Sequence, residues 1–542
     1  MWQKESKHKN SLYTNLCAAN GFGKESDEMY KEVRSEINVH KKVKFHYTKC
    51  NKMALKKQKS AKVYFENGEW ELAILVYNES LCFAENGTKY LGISYANRSA
   101  CFYNLKMYDK CLVDIELATQ NNYPKHLIPA LEKRKMNCLE HIVNGWKLDE
   151  SRLNLNYTRD EKFPDLANTV KIEKIADKDD PTVVAKQKID VGEIVAVDKA
   201  FCKTLFAIYG WKCNICLKSN LNLMPCQRCT VTMICRDCKD NNLHKYECGI
   251  KTSLYSNSNN YLMQELRTFF TAMDLFANVD EMMTFVEQSV NTDPLEIPTA
   301  LDDNRSKYRA FLQQTAFEPD TKDKKFIQTV CCVYKILLEI PKISLMFSTK
   351  KHRRFMMHLI GHHVQVNLHQ SYVFKEDFVN ENGDKDHRIL YSQVGVLLRY
   401  FNHRCSPNVY AIDCDGDTYY CALRPIQPGQ ELFISYYCFH WDLPPEWPHK
   451  FSKHNCKCER CEWRKPTTDE LIQIADDPDF DIVNDSNIES EIKSIDKAKF
   501  DILMESCIRL LKKYDRILWC KQLAVVITVY AALLTANIRG LV

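Results

Sequence analysis

The residues with the clearest capacity for chemistry are seven cysteines and one histidine within residues 213–248. Paired thiols with two residues between them chelate a metal from one turn, and thiolate and imidazole are the ligands that zinc prefers. Eight such ligands suffice for two tetrahedral sites; the alternative is a chance cluster of reduced core cysteines. Since so short a segment cannot build a hydrophobic core, we expect metal binding to supply its folding energy. The eight are Cys213, Cys216, Cys226, Cys229, Cys235, Cys238, His244 and Cys248.

A second cluster consists of Cys456, Cys458 and Cys461. Three thiols are one ligand short of a closed zinc site, so the fourth ligand must come from elsewhere in the chain.

Two polar segments upstream of this cluster carry further candidates. They are Phe401–Val409, which contains an Asn-His pair and a cysteine, and Gly429–Tyr436, which ends on Ser-Tyr. Taken singly, an Asn-His pair is typical of a turn, and Ser-Tyr on a strand is typical of a core or surface position.

The elements that must position these residues begin with a helical repeat. Trp70–Ile74 and Leu105–Leu112 have matching apolar patterns, and aligning Ala73 with Cys111 gives a period of 38 residues. This is the tetratricopeptide period of about 34 residues with a short insertion, although an ordinary helical hairpin is the alternative. Stacks of such repeats present a concave groove for peptides.

Strand patterns follow the repeats. Thr182–Ala185 and Glu193–Val197 are apolar runs that flank a tight turn at Asp190–Glu193, and strand patterns return over about 389–436. Apolar spacing over 255–365 predicts helices, as it does over about 495–540. The sequence therefore predicts a multidomain α+β fold.

Composition limits the function classes. A chain of 542 residues is too long for a single hydrophobic core, and the net charge of +5 does not favour a chain that coats nucleic acid.

The start of the chain lacks an apolar signal core, so we expect reduced thiols and residence in cytoplasm and nucleus. The longest apolar run, Leu523–Ala536, is shorter than the roughly 20 residues of a membrane span, which predicts a buried helix. We expect a monomer that is not bound to a membrane.

The first cysteine cluster resembles the MYND zinc finger, in which ligand pairs interleave. Phe401–Val409, Gly429–Tyr436 and the cysteine triplet resemble, in this order, the motifs of SET-domain lysine methyltransferases and their post-SET zinc site. Together they identify the chain as similar to the SET- and MYND-domain (SMYD) protein-lysine methyltransferases. The resemblance implies three zinc ions, held by Cys213, Cys216, Cys235 and Cys238, by Cys226, Cys229, His244 and Cys248, and by Cys405, Cys456, Cys458 and Cys461.

The resemblance also implies a methyl-transfer site. Tyr436 would be the active-site tyrosine and would contact S-adenosylmethionine together with Asn367, Asn402, His403 and His454. A lysine amine attacks only when neutral, and its free pKa is about 10.4, so an apolar aromatic channel must disfavour the ammonium form.

The implied organisation has eight parts. They are a basic segment (1–50), tetratricopeptide-like repeats (51–150), the first part of the SET domain (160–212), the MYND finger (213–248), a helical insert (250–365), the SET core (366–445), a post-SET zinc region (446–464), and an acidic linker with C-terminal helices (465–542).

The expected function is S-adenosylmethionine-dependent methylation of a protein substrate at a lysine, with peptide partners at the MYND and repeat surfaces. The first SET strand is preceded by Asp177–Pro181, which lacks the family's usual glycine, and His454 stands where an aromatic ring is usual. These departures keep a second hypothesis open, an inactive adaptor that recruits partners. A regulator that binds DNA through residues 1–50 is a third, but we do not expect nucleic acid to be the main ligand.

Overall fold

The computed structural model describes residues 48–145, 158–175, 180–206, 210, 212–219, 222–250, 260–290, 292–293, 296–314, 324–379, 385–436, 456–462, 464–486, 488, 492 and 495–539. The predicted cofactor residue His454, residues 177–179 and most of the basic segment lie outside the described residues.

The helices of the described residues lie mostly in regions where the sequence predicts helix. They are α1 (Asn51–Glu66), α2 (Trp70–Phe83), α3 (Lys89–Asn104), α4 (Tyr108–Gln120), α5 (Ile128–Val143), α6 (Leu243–Glu247), α7 (Asn260–Met273), α8 (Val279–Val290), α9 (Asn304–Leu312), α10 (Lys324–Glu339), α11 (Pro341–Met346), α12 (Lys350–Gln370), α13 (Thr468–Ala475), α14 (Pro478–Asn484), α15 (Lys497–Lys513) and α16 (Lys521–Arg539).

The strands are short, apart from one long hairpin. They are β1 (Val170–Glu173), β2 (Thr182–Ala185), β3 (Ile194–Lys199), β4 (Cys202–Leu205), β5 (Met224–Pro225), β6 (Met233–Ile234), β7 (Ser371–Val379), β8 (Lys385–Val394), β9 (Asn402–His403), β10 (Val409–Cys414), β11 (Asp417–Ala422) and β12 (Phe433–Ile434). The chain is thus a mixture of helix and sheet, as predicted.

The chain forms two compact units. The first contains the described residues of 1–150, 201–291 and 315–394, and the second contains those of 151–200, 292–314 and 395–542.

The first unit begins with helices that recur at the predicted interval. α1 and α3 start at residues 51 and 89, and α2 and α4 start at 70 and 108, so each pair is offset by 38 residues. The aligned residues Ala73 and Cys111 are both fully buried, because small side chains let neighbouring helices approach closely. The helical period is therefore present, while its assignment to the tetratricopeptide class remains a prediction.

The cysteine segment packs on these helices within the first unit. Cys213, Leu223 and Met233 belong to the same buried apolar cluster as the helices α1 to α5. The cysteine segment itself contains the β5–β6 hairpin and α6, and the antiparallel sheet β4-β8-β7 follows elsewhere in the unit.

The second unit is built on the antiparallel sheet β10-β11-β3. A two-residue turn joins β10 to β11, and its Asp415 and Gly416 have φ angles of 53° and 77°, as a tight hairpin turn requires. The predicted turn before β3 is also present, with Gly192 at φ 88°. β12 pairs with β9 in parallel, aligning Phe433 with Asn402 and Ile434 with His403.

The C-terminal helices close the core of the second unit. α16 is long and apolar enough to cross a membrane by length and composition, but most of its apolar window is buried. Leu523, Ile527 and Leu534 on α16 belong to one apolar cluster with Ile412 and Cys421 of the sheet. The predicted buried helix is therefore observed.

The acidic segment, which the sequence predicted as a linker, contains two helices. It folds into α13 and α14, and Phe480 and Val483 on α14 are buried. Its carboxylates have basic partners on α15: Asp477 accepts from Lys513 at 2.7 Å, and Asp479 accepts from Arg509 at 2.8 and 2.7 Å. Partners more than 25 residues away along the chain were not visible as a local sequence pattern.

Candidate functional site

Four sulfur atoms converge in the second unit. The sulfurs of Cys405, Cys456, Cys458 and Cys461 lie within 4.8 Å of one another. The Cys461 sulfur is 3.4 Å from that of Cys405 and 3.5 Å from that of Cys458. Four thiolates this close repel one another unless a cation lies between them, so this donor set fits a structural zinc ion.

The His403 ring connects this cluster to Tyr436. Its Nδ1 accepts the Tyr436 backbone N–H at 3.1 Å, so the proton resides on Nε2, which is 3.3 Å from the Cys405 sulfur. The two rings lie with their centroids 5.4 Å apart. One imidazole therefore contacts both the cysteine cluster and the predicted active-site tyrosine.

Tyr436 also contacts the polar segment through its hydroxyl group. The hydroxyl donates to the Phe401 carbonyl oxygen at 2.7 Å, and the tyrosine is 38% exposed, so one face remains accessible. The Phe401 ring is fully buried and stacks on Tyr420 with 4.2 Å between centroids. A buried aromatic pair thus fixes the carbonyl that orients the phenol.

The Asn402 side chain is directed at a carboxylate in the second motif. Its amide nitrogen donates to Glu431 Oε1 at 2.6 Å, and the Thr182 hydroxyl donates to the same oxygen at 2.9 Å. Asn408 completes the connection, because its amide donates to the Glu431 carbonyl and accepts from the Phe433 N–H at 2.7 Å. These bonds hold the β9–β12 pair in register. Asn408 and Glu431 were visible in the sequence as motif positions, but their roles were not predicted.

A buried carboxylate holds the segment that leads into β9. Asp198 accepts the backbone N–H groups of Val396 at 3.4 Å and Leu397 at 2.9 Å. A Cβ atom on Gly395 would lie 2.2 Å from Asp198 Oδ2, so a larger residue there would displace this carboxylate. Burial, with Asp165 nearby, raises the pKa of the Asp198 carboxyl to about 6. The sequence did not single out Asp198.

The first unit contains two groups of candidate metal ligands, which we call the first and second finger sites. In the first finger site, the sulfurs of Cys213, Cys216, Cys235 and Cys238 lie within 4.8 Å of one another. Its Cys213 sulfur accepts the backbone N–H groups of Ile215 at 3.4 Å and Cys235 at 3.3 Å. Such donors stabilise a thiolate, which is the form that ligates zinc.

In the second finger site, the ligand atoms of Cys226, Cys229, His244 and Cys248 also lie within 4.8 Å of one another. The Cys229 sulfur lies 3.5 Å from His244 Nε2, and the Cys226 sulfur accepts the Arg228 N–H at 3.3 Å. His244 Nδ1 faces Glu247 Oε1 at 3.4 Å, which is the usual outer partner of a zinc-bound histidine. The three groupings that the resemblance implied are thus the groupings that the fold assembles.

Asn367 lies in the first unit, whereas Asn402, His403 and Tyr436 lie in the second. Its amide nitrogen donates to Glu265 at 2.8 Å and to the Thr268 hydroxyl at 3.0 Å. Burial raises the pKa of the Glu265 carboxyl to about 8. Asn367 is itself 2% exposed, and it joins α12 to α7.

Comparison with known proteins agrees with these motifs. The SET domain family matches residues 181–437. The protein-lysine N-methyltransferase SMYD4 of Danio rerio is 24% identical over 245 residues, which are 40% of this chain and 32% of the relative. A SET and MYND domain-containing protein of Dictyostelium discoideum is 35% identical over 69 residues, which are 12% of this chain and 20% of that protein.

The SET domain match and these two relatives support membership of the SMYD-type SET methyltransferase family. The chain spans about a third or less of the length of these two relatives. The SET domain match supports a methyltransferase-type fold for residues 181–437, which contain β2 to β12. SET methyltransferases use S-adenosylmethionine, and the cysteine clusters of this chain could bind zinc.

Proposed function

We propose that the protein transfers the methyl group of S-adenosylmethionine to a lysine of a protein substrate, with zinc at all three cysteine clusters. The observation that carries the proposal is the contact of His403 with both Tyr436 and Cys405. An adaptor would have no need to tie a phenol and a sulfur cluster to the same imidazole. When bound, S-adenosylmethionine supplies the electrophilic methyl group.

The Tyr436 hydroxyl orients the incoming amine. Because it donates its single proton to the Phe401 carbonyl, it faces an amine as a hydrogen-bond acceptor. An amine N–H that donates to this oxygen turns its nitrogen lone pair away from the phenol and toward the methyl group. The accessible face of the Tyr436 ring provides a surface of low polarity that disfavours the ammonium form of lysine.

Asn402 and His403 act mainly by holding the Phe401–Val409 segment in its conformation. Their side chains are engaged by Glu431, Tyr436 and Cys405. We therefore assign their contacts with S-adenosylmethionine to the main chain of the segment and the face of the imidazole.

Calorimetry with S-adenosylmethionine on zinc-loaded full-length protein tests cofactor binding. A labelled methyl donor with wild-type and Tyr436→Phe protein tests the role of the phenol, and we expect labelling to fall about 100-fold without the hydroxyl, because a misoriented nucleophile loses about this factor. Tyr64→Phe, an exposed tyrosine of α1, is the control and keeps full labelling. Unchanged labelling in Tyr436→Phe would remove this residue from the mechanism.

One observation favours the adaptor as a second candidate. The Asn367 amide nitrogen is engaged by Glu265 and Thr268 inside the first unit, which is a packing role. An adaptor predicts no heat with S-adenosylmethionine, whereas a methyltransferase predicts saturable binding that Tyr436→Phe largely retains.

A further inference from the structure

Glu247, at the end of α6, contacts the histidine of the second finger site. Its Oε1 lies 3.4 Å from His244 Nδ1, on the side of the ring opposite the nitrogen that faces the cysteine sulfurs. A carboxylate in this position orients the imidazole and increases its basicity as a metal ligand. The side chain of Glu247 is 1% exposed, so its charge is not screened by solvent.

The same carboxylate oxygen contacts the first finger site. Asn214 Nδ2 donates to Glu247 Oε1 at 2.7 Å, and Asn214 lies in the turn between the ligands Cys213 and Cys216. The backbone N–H of Asn214 donates to the Met233 carbonyl of the β5–β6 hairpin at 3.0 Å. One oxygen atom thus contacts a ligand of the second site, His244, and the residue that follows a ligand of the first site, Asn214 after Cys213.

Arg267 on α7 fixes this arrangement from outside the finger. Its Nη2 donates to Glu247 Oε1 at 2.7 Å and to the Asn214 carbonyl at 3.2 Å. Arg267 is fully buried, so the ion pair is protected from solvent and salt. The Tyr246 ring stacks on Phe270 of the same helix with 5.6 Å between centroids.

We propose that Glu247 is a positioning residue that couples the two metal sites of the finger. A metal ion at the second site immobilises His244, which immobilises Glu247 and, through it, the Asn214 turn that presents Cys213 and Cys216. Metal at either site therefore strengthens binding at the other, because coupling between two sites is reciprocal. This inference rests on the proposed occupancy of both finger sites by zinc.

Cobalt titration of metal-free full-length protein tests the coupling. Co²⁺ bound by three sulfurs and one nitrogen absorbs at different visible wavelengths from Co²⁺ bound by four sulfurs, so the second site is followed separately from the other two. In Glu247→Gln we expect a shifted spectrum and 10- to 100-fold weaker binding at the second site, since outer partners of metal ligands contribute about this factor. Binding at the first site weakens in parallel.

Asn214→Ala separates coupling from general damage to the fold. It leaves Glu247 and His244 in contact, so the spectrum and affinity of the isolated second site are retained. The first site binds more weakly and responds less to the second, because only the Arg267 bond to the main-chain carbonyl of residue 214 still connects them. Glu116→Gln is the matched control, because this exposed carboxylate approaches Arg236 of the finger at 4.0 Å without touching a ligand. It leaves both sites unchanged.

Each outcome decides a different statement. A wild-type chain that binds no Co²⁺ at the finger would overturn the proposed zinc sites and the coupling with them. Wild-type binding that Glu247→Gln leaves unchanged, or an Asn214→Ala protein whose first site responds to the second as strongly as in wild type, would overturn the coupling alone.

Discussion

Arg98 on α3 lies at the centre of a buried polar network in the first unit. Its guanidinium donates to both carboxylate oxygens of Asp114 at 2.6 and 2.8 Å and to the Asn78 amide oxygen at 2.6 Å. A further bond of 3.0 Å reaches the Leu223 carbonyl of the finger segment, and Asn222 donates to Asp114 at 2.8 Å. Arg98 thus ties three helices of the repeat region to the cysteine segment.

Replacement of Arg98 by methionine is expected to destabilise these helices. The apolar stem is retained, but Asp114 keeps its charge in a site where neither side chain is exposed to solvent. Removal of one partner from a buried ion pair costs about 3–5 kcal/mol, because the remaining charge is desolvated without compensation. The double variant Arg98→Met with Asp114→Leu is expected to recover most of this loss, since an apolar pair replaces the ion pair.

Hydrogen exchange followed by mass spectrometry reports on this change locally. A loss of 3–5 kcal/mol accelerates exchange in α3 and α4 by roughly two to three and a half powers of ten. The control is Arg509→Met on α15, which breaks a bond pair of the same geometry to Asp479 at a position where the arginine side chain is 53% exposed. Solvent replaces the lost partner there, so exchange of α15 changes far less.

The decisive comparison is between these two arginines. If Arg98→Met and Arg509→Met altered exchange in their own helices to the same small extent, burial would not be the cause of the stability that we assign to the Arg98 network. A double variant that was less stable than Arg98→Met alone would contradict the desolvation argument.

Three further predictions concern metal, pH and backbone fit. Cys405→Ser is expected to lower the zinc content by one ion of three and to weaken S-adenosylmethionine binding, as measured by elemental analysis and calorimetry. Glu265 has a folded pKa of about 8, above that of an unfolded glutamate. Its ionisation therefore has no effect on the free energy of unfolding below about pH 4.5, and it destabilises the fold increasingly from there up to about pH 8. In urea unfolding, Glu265→Gln should therefore gain stability over wild type as the pH rises through this window, by up to about 4–5 kcal/mol. Gly395→Ala should cost about 1–3 kcal/mol by displacing Asp198, whereas Gly361→Ala, where a Cβ meets only a ring atom at 3.7 Å, should be neutral or stabilising.

These predictions fail on distinct observations. Retention of three zinc ions by Cys405→Ser would exclude this thiol as a ligand. A stability difference for Glu265→Gln that is constant between pH 5 and 9 would show that the carboxyl does not titrate in this range. Equal effects of the two glycine substitutions would mean that Asp198 can move aside freely.

Local chemistry determined much of this protein from the sequence alone. The cysteine spacing predicted enough ligands for two zinc sites, because eight ligands lie within 36 residues and chelation depends on short turns between them. The interleaved grouping of these ligands came from the resemblance to the MYND finger. The 38-residue helical period was also readable, since a small buried residue recurs in each repeat, and so was the burial of α16. The motifs around Asn402 and Tyr436 indicated the family, although the geometry between them was only implied.

Tertiary structure alone decided which distant polar groups meet. Glu247 meets Asn214 and Arg267, Arg98 meets Asp114, and Asp198 meets the backbone next to Gly395, across separations of 16 to 199 residues. No periodicity in the sequence marks such pairs, because the identity of a charged residue does not indicate whether its side chain contacts water or a partner. Burial makes the difference: once the apolar faces pack, an unpaired polar group becomes costly, and the fold is restricted to arrangements in which these groups find one another.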